Sequence, residues 1–170
     1  MSPRRPAPGA TQAGVAAVAL AAWLGAAAYF GAVVARAAFA VLPTRALSGD
    51  LVSATLPAIF VGGMVLAGIA ALLALPAPRR EWDAARFTWF LAALVAAGLC
   101  AVSQFVVTPR IELLRGSLGV ALDTTPMTDP VRAEFAHWHL LSVGALGIAC
   151  VLVFVALIAA FRQATGARVR

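Results

Sequence analysis

Residues 51–75 read LVSATLPAIFVGGMVLAGIAALLAL. No residue in this stretch carries a charge, and its only polar side chains are Ser53 and Thr55. A helix rises about 1.5 Å per residue and needs about 20 apolar residues to cross a hydrocarbon core roughly 30 Å thick. The stretch is long enough to do so. Three further apolar runs lie at about 13–42, 87–107 and 138–161. None alternates with the period of two that a transmembrane β-strand requires. Helices, by contrast, bond their own backbones, as lipid demands. The expected fold is all-α: a polytopic membrane protein built as a four-transmembrane-helix bundle over 13–162. Polar tails would flank it at 1–12 and 163–170, with a short interfacial helix between helices three and four.

Composition agrees. Of the 170 residues, 62% are hydrophobic and 12% charged, against about 45–50% and about 25% in a soluble domain. Much of the apolar content is Ala, which lets membrane helices approach closely. The net charge of +6 raises nucleic acid as a partner. However, the arginines flank apolar runs and do not cluster with aromatics on one soluble face, so no nucleic acid is expected. The partners expected are the lipid bilayer and other membrane proteins or a second copy. Cys100 and Cys150 fall within apolar runs, at a spacing that matches no zinc or redox motif, and read as small buried hydrophobes.

The first run follows Arg4-Arg5 and contains small residues at Ala26, Ala27 and Ala28. It far exceeds the roughly 7–15-residue core of a secretory signal, so it is expected to stay as a span. Thr108-Pro109 and Asp129-Pro130 each pair a capping residue with a Pro suited to a first helical turn. Ile111, Leu114 and Leu118 then suggest the interfacial helix. The alternative is one continuous third helix kinked at Pro109.

Basic residues set orientation. One side would hold Arg4, Arg5, Arg79, Arg80, Arg86, Arg162, Arg168 and Arg170; the other would hold Arg45, Arg110, Arg115 and Arg132. Both termini are therefore expected in the cytoplasm. All thirteen basic residues are Arg, with no Lys, a bias in keeping with a GC-rich bacterium and hence a bacterial inner membrane.

With that topology the polar groups near the membrane gather at the outer end: Arg36, Gln104, Glu112, Arg115, Arg132, His139 and Ser142. An ionisable group in a span is costly and suggests a site. Arg36 has a plain alternative, which is to snorkel to the interface. His137 and His139 are two residues apart and point roughly 200° apart on a helix, so they cannot share a metal while it is intact. A metal or haem at His139 would need another helix's donor, with Glu112 and the cysteines as candidates; no metal or cofactor is expected. Arg132, Phe135, His139 and Ser142 are spaced three, four and three apart and share one face. They would form either a hydrogen-bonded cluster pinning helix four or a pocket for a proton or an anionic ligand.

The sequence resembles the transmembrane protein 205-like family. The resemblance rests on residues 31–39 and Pro43, residues 48–60, the run Thr108-Pro109-Arg110-Ile111-Glu112-Leu113-Leu114-Arg115, and the pattern Arg132-x-x-Phe135-x-x-x-His139-x-x-Ser142. Many members carry an Asn after the last element; here Gly144, Ala145 and Leu146 follow. The resemblance implies a four-helix membrane domain of unknown function, and its eukaryotic relatives are linked with handling of metal-containing drugs.

No Ser–His–Asp set, phosphate-cradling Gly loop or paired carboxylates within a span are present, so the protein is not expected to be an enzyme. The first expectation is a non-enzymatic accessory or packing subunit of a membrane assembly. That role predicts a polar face of helix four filled by side chains. The alternatives are a small transporter or ligand-binding protein with an outer pocket, and a His-dependent metal or haem protein.

Overall fold

A computed structural model describes residues 9–75, 83–119 and 124–166. Among them are six α-helices: α1 (Ala10–Tyr29), α2 (Arg36–Val41), α3 (Arg45–Ala74), α4 (Ala84–Val102), α5 (Thr108–Leu118) and α6 (Pro130–Gly166). A π-helical turn at Phe30–Ala35 fuses α1 to α2, and another at Ser103–Val107 fuses α4 to α5. Four rods result, each long and apolar enough to cross a membrane: Ala10–Val41, Arg45–Ala74, Ala84–Leu118 and Pro130–Gly166.

The helix ends follow local chemistry. Leu42 precedes Pro43, which disfavours helical backbone at the residue before it, and Leu42 is extended. Thr44 then caps α3, its hydroxyl accepting from Leu47 N–H at 3.2 Å. This cap starts α3 at Arg45, ahead of the apolar run expected from 51. Asp83 caps α4 by accepting from Arg86 N–H at 2.8 Å. Asp129 caps α6 by accepting from the N–H groups of Val131 and Arg132 at 2.9 and 3.0 Å, with Pro130 in the first turn. Since α6 has 37 residues, it is about 55 Å long and projects well past the roughly 30 Å hydrocarbon core. It begins eight residues before the apolar run at 138, as its Asp-Pro start signal implies.

The stretch expected to form a separate short interfacial helix is α5, but it continues α4 without a break and without a side-chain cap, so the third rod is one continuous helix, as in the alternative reading, with its irregularity just before Pro109. Pro109 has no N–H to give. Just before it, both the N–H and the hydroxyl of Thr108 turn to the Ser103 carbonyl five residues back, the hydroxyl at 2.9 Å. A π-turn is one of the usual ways a long helix absorbs such a local misfit.

The rods pack in a ring, α1 touching α3 and α6, and α4 touching the same two. Buried positions on each rod recur at three- and four-residue steps: Ala13, Ala16, Leu20, Trp23 and Ala27 on α1; Phe60, Gly63, Ala67, Ala70 and Ala74 on α3; Trp89, Ala93, Ala96 and Cys100 on α4; Ala149, Val153, Ala156 and Ala160 on α6. This is a heptad-like seam of small residues, the pattern that lets membrane helices close on one another. At Gly63 a Cβ would lie 2.6 Å from Cys100 Sγ and 2.8 Å from Trp23 Cε2 and Cζ2. Trp23 crosses α3 at this point and donates its indole N–H to the Ile59 carbonyl at 2.8 Å.

The tight seam fills the end of the bundle that holds the starts of α1 and α4. There Arg86 is buried and donates to the Ala74 carbonyl at 3.2 Å, placing a cation on the C-terminus of α3, where the helix dipole favours it. Arg86 is thus part of the packed end and not merely a loop charge. Arg4, Arg5, Arg79, Arg80, Asp123, Arg168 and Arg170 lie outside the described residues.

Candidate functional site

At the opposite end the ring opens. The α1 rod packs along α6 over its first twenty residues, but Phe30–Val41 makes little contact with α6. Between them lies a cavity of about 800 Å³, bounded by the upper part of the first rod, the start of α3, α5 and the first half of α6.

Four polar side chains from the sequence reading line it: Arg115, Arg132, His139 and Ser142. The column on α6 forms as its spacing implied. The Arg132 guanidinium carbon sits 5.5 Å from the Phe135 ring centroid. The Phe135 and His139 rings stack nearly parallel, their centroids 6.1 Å apart, and Ser142 follows, buried. Arg36, Gln104 and Glu112 do not line the cavity. Along the first rod the cavity residues are Phe30, Gly31, Ala35 and Phe39, the last three at four-residue steps, and Arg36 is turned about 100° from Ala35 and exposed. Glu112 is turned by the same angle from Ile111, which does line it, and is also exposed. Gln104 lies in the π-turn with its Oε1 buried and without a hydrogen-bond partner among the described residues. His137 faces away from the cavity and meets Trp138 edge-on.

Two lining residues, Arg45 and Ser53, had no signal in the sequence as pocket residues. Arg45 was visible only as a loop charge, because the apolar run starts after it. Its place on the first turn of α3 depends on the Thr44 cap.

The three lining arginines differ in how they are used. Arg115 reaches from α5 to α3, where Nη1 donates to Ser53 Oγ at 2.8 Å and Nη2 to the Ala46 carbonyl at 2.7 Å and to Asp50. Gly49 makes room for it, since a Cβ there would lie 3.0 Å from Nη2. This clasp leaves Arg115 only 16% exposed, while Asp50 is 67% exposed. Arg45 and Arg132 form no ion pair among the described residues; the other pair there is Arg110–Glu134, on the outer surface between α5 and α6. No Asp or Glu occurs among the described lining residues. The site is therefore electropositive, with two arginines free to meet an anion.

The remaining walls are apolar, formed by Phe30, Leu56, Leu140, Val143 and Leu146 among others. Pro57 adds a gap in the backbone ladder beside them, because it has no N–H to give the Ser53 carbonyl. Among the described residues no three His, Cys, Asp or Glu side chains come together as a metal site would need. His139 has arginines and serines, not anionic donors, as its polar neighbours around the cavity.

Four apolar rods enclosing an open polar end define a multi-pass membrane protein built as a four-helix bundle. The chain belongs to the family described as Domain of unknown function (DUF4149), whose model matches residues 18–117. The match runs from within the first rod to the last turn of α5, including every stretch of the resemblance noted above except the one opening α6. No curated protein and no solved structure matches the chain.

Proposed function

We propose that this protein is a non-catalytic, ligand-binding membrane protein that holds an anionic amphipathic molecule at the open end of its bundle. One observation carries the reading: the polar face of α6 lines an open cavity of about 800 Å³ where a packing subunit would have filled it with side chains. That volume lies within the range of small-molecule sites, which are mostly apolar with a few placed polar groups. Arg45 and Arg132 supply the charge, His139 and Ser142 the neutral hydrogen bonds, and the phenylalanines and leucines the apolar walls.

We further place both termini in the cytoplasm of a bacterial cell, on the arginine asymmetry, so that the cavity faces the outer side of the membrane. The resemblance to the transmembrane protein 205-like family, with its link to drug handling, is in keeping with a binding or transport role.

The test uses the purified chain in mild detergent and an anionic aromatic amphiphile, anilinonaphthalene sulfonate, followed by native mass spectrometry. One molecule is expected per chain, with loss of the adduct on Ser142→Trp, which fills the middle of the cavity. An adduct that persists unchanged in Ser142→Trp while the variant melts like the parent sinks the reading.

A further inference from the structure

The cavity is graded in depth. Its cations lie at the helix ends: Arg45 opens α3, Arg132 sits in the first turn of α6, and Arg115 lies in the last turns of α5. Its deep end is apolar, with Phe30, Leu56 and Leu146. Along α6 the wall runs from Arg132 to Leu146, about 21 Å of helix. About 10 Å of that lies below His139, comparable with the roughly 15 Å thickness of one leaflet's hydrocarbon.

The cavity also has a side door. Phe39 on α2 and Leu140 and Val143 on α6 line it, yet they are 56%, 69% and 56% exposed. They flank the gap where the upper first rod and α6 part. An exposed apolar edge inside a bilayer is an edge that touches acyl chains. A ligand can therefore pass between the cavity and the leaflet sideways, with its charged end kept at the level of the helix ends.

We infer that the ligand is a lipid of one leaflet with an anionic headgroup and a single acyl chain in the cavity, entering between α2 and α6. The headgroup sits between Arg45 and Arg132, the lining arginines that form no ion pair among the described residues, while Arg115 stays committed to α3. The chain runs past His139 to Leu56 and Leu146. This inference rests on the binding reading above and narrows its ligand to a membrane-borne one.

The test is photolabelling of the purified chain with palmitic acid carrying a diazirine near its terminal carbon, with labelled residues mapped by mass spectrometry. Labelling is expected at or beside Leu56 and Leu146, competed by unlabelled palmitate. The double variant Arg45→Gln/Arg132→Gln should weaken binding by about tenfold or more, on the scale of lost charge-assisted hydrogen bonds. Val143→Trp, which narrows the side door without touching a charge, should cut deep labelling several-fold while leaving labelling of the outward-facing Leu72 and Val151 intact. If anilinonaphthalene sulfonate binds one to one but palmitate labels only outward residues such as Leu72 and Val151, the lipid is the wrong ligand and the binding reading survives. If neither binds, both fall.

Discussion

Gly63 carries the closest approach in the molecule among the described glycines. It is the point where α1, α3 and α4 cross, and its hydrogen leaves just enough room for Trp23 and Cys100. Small residues four apart abound in so Ala-rich a chain, and most mean little: Gly63 stands four before Ala67, Gly25 four after Ala21 and Gly31 four after Ala27, yet a Cβ at Gly25 or Gly31 would meet nothing within 4 Å. Gly63→Leu should cost about 1–3 kcal/mol or more through overpacking, seen as a lower melting temperature in detergent, while Gly25→Leu should melt like the parent. Equal melting of the two variants would show that the crossing yields. At the cavity, the same residue-scale geometry explains which polar candidates meet. The four-three periodicity of Arg132, Phe135, His139 and Ser142 was legible because one helix carries all of them. Arg36 and Glu112 missed the cavity by a single residue's rotation, and that angle depends on how each rod is turned in the bundle.

The elements at the open end are held by polar ties in place of an Ala seam. Ser48 donates to the Ala38 carbonyl at 3.0 Å, tying α3 to α2, and Arg115 ties α5 to α3. In the Arg115 clasp the hydrogen bonds to Ser53 and the Ala46 carbonyl are partly buried, whereas the ion pair with Asp50 is open to water. Exposed ion pairs contribute at most about 1 kcal/mol, and hydrogen bonds from a charged donor about 1.5–3 kcal/mol. Arg115→Gln should therefore destabilise by about 2 kcal/mol and Asp50→Asn by less than about 1 kcal/mol in thermal melts. The reverse order would mean that the charge pair holds α5. The two π-turns also belong to this scale. Their cause is partly visible in sequence, at Thr108-Pro109, and invisible at Phe30–Ala35, where no proline or polar side chain marks the turn.

At the scale of the bundle, among the described residues, one end is sealed by small side chains and a buried Arg86, and the other opens into a cavity lined by arginines and no acid. Orientation then decides which leaflet the cavity meets. With both termini in the cytoplasm, a cysteine at the exposed Met127→Cys position should react with an impermeant maleimide on intact cells. One at Arg162→Cys should react only after permeabilisation. The opposite pattern would turn the cavity to the cytoplasmic leaflet.

The four spans were determined by sequence alone, because crossing lipid is a local requirement: each segment must itself be long, apolar and self-bonded. The α6 column and the Asp129-Pro130 start were legible for the same reason, since each is written within one helix. The cavity was not. It arises because α1 and α6 stay together along their Ala seam and part above it, and because Arg115 spends its donors on α3 while Arg45 and Arg132 spend none on an acid among the described residues. Those are relations between helices far apart in the chain, and only their packing decides them.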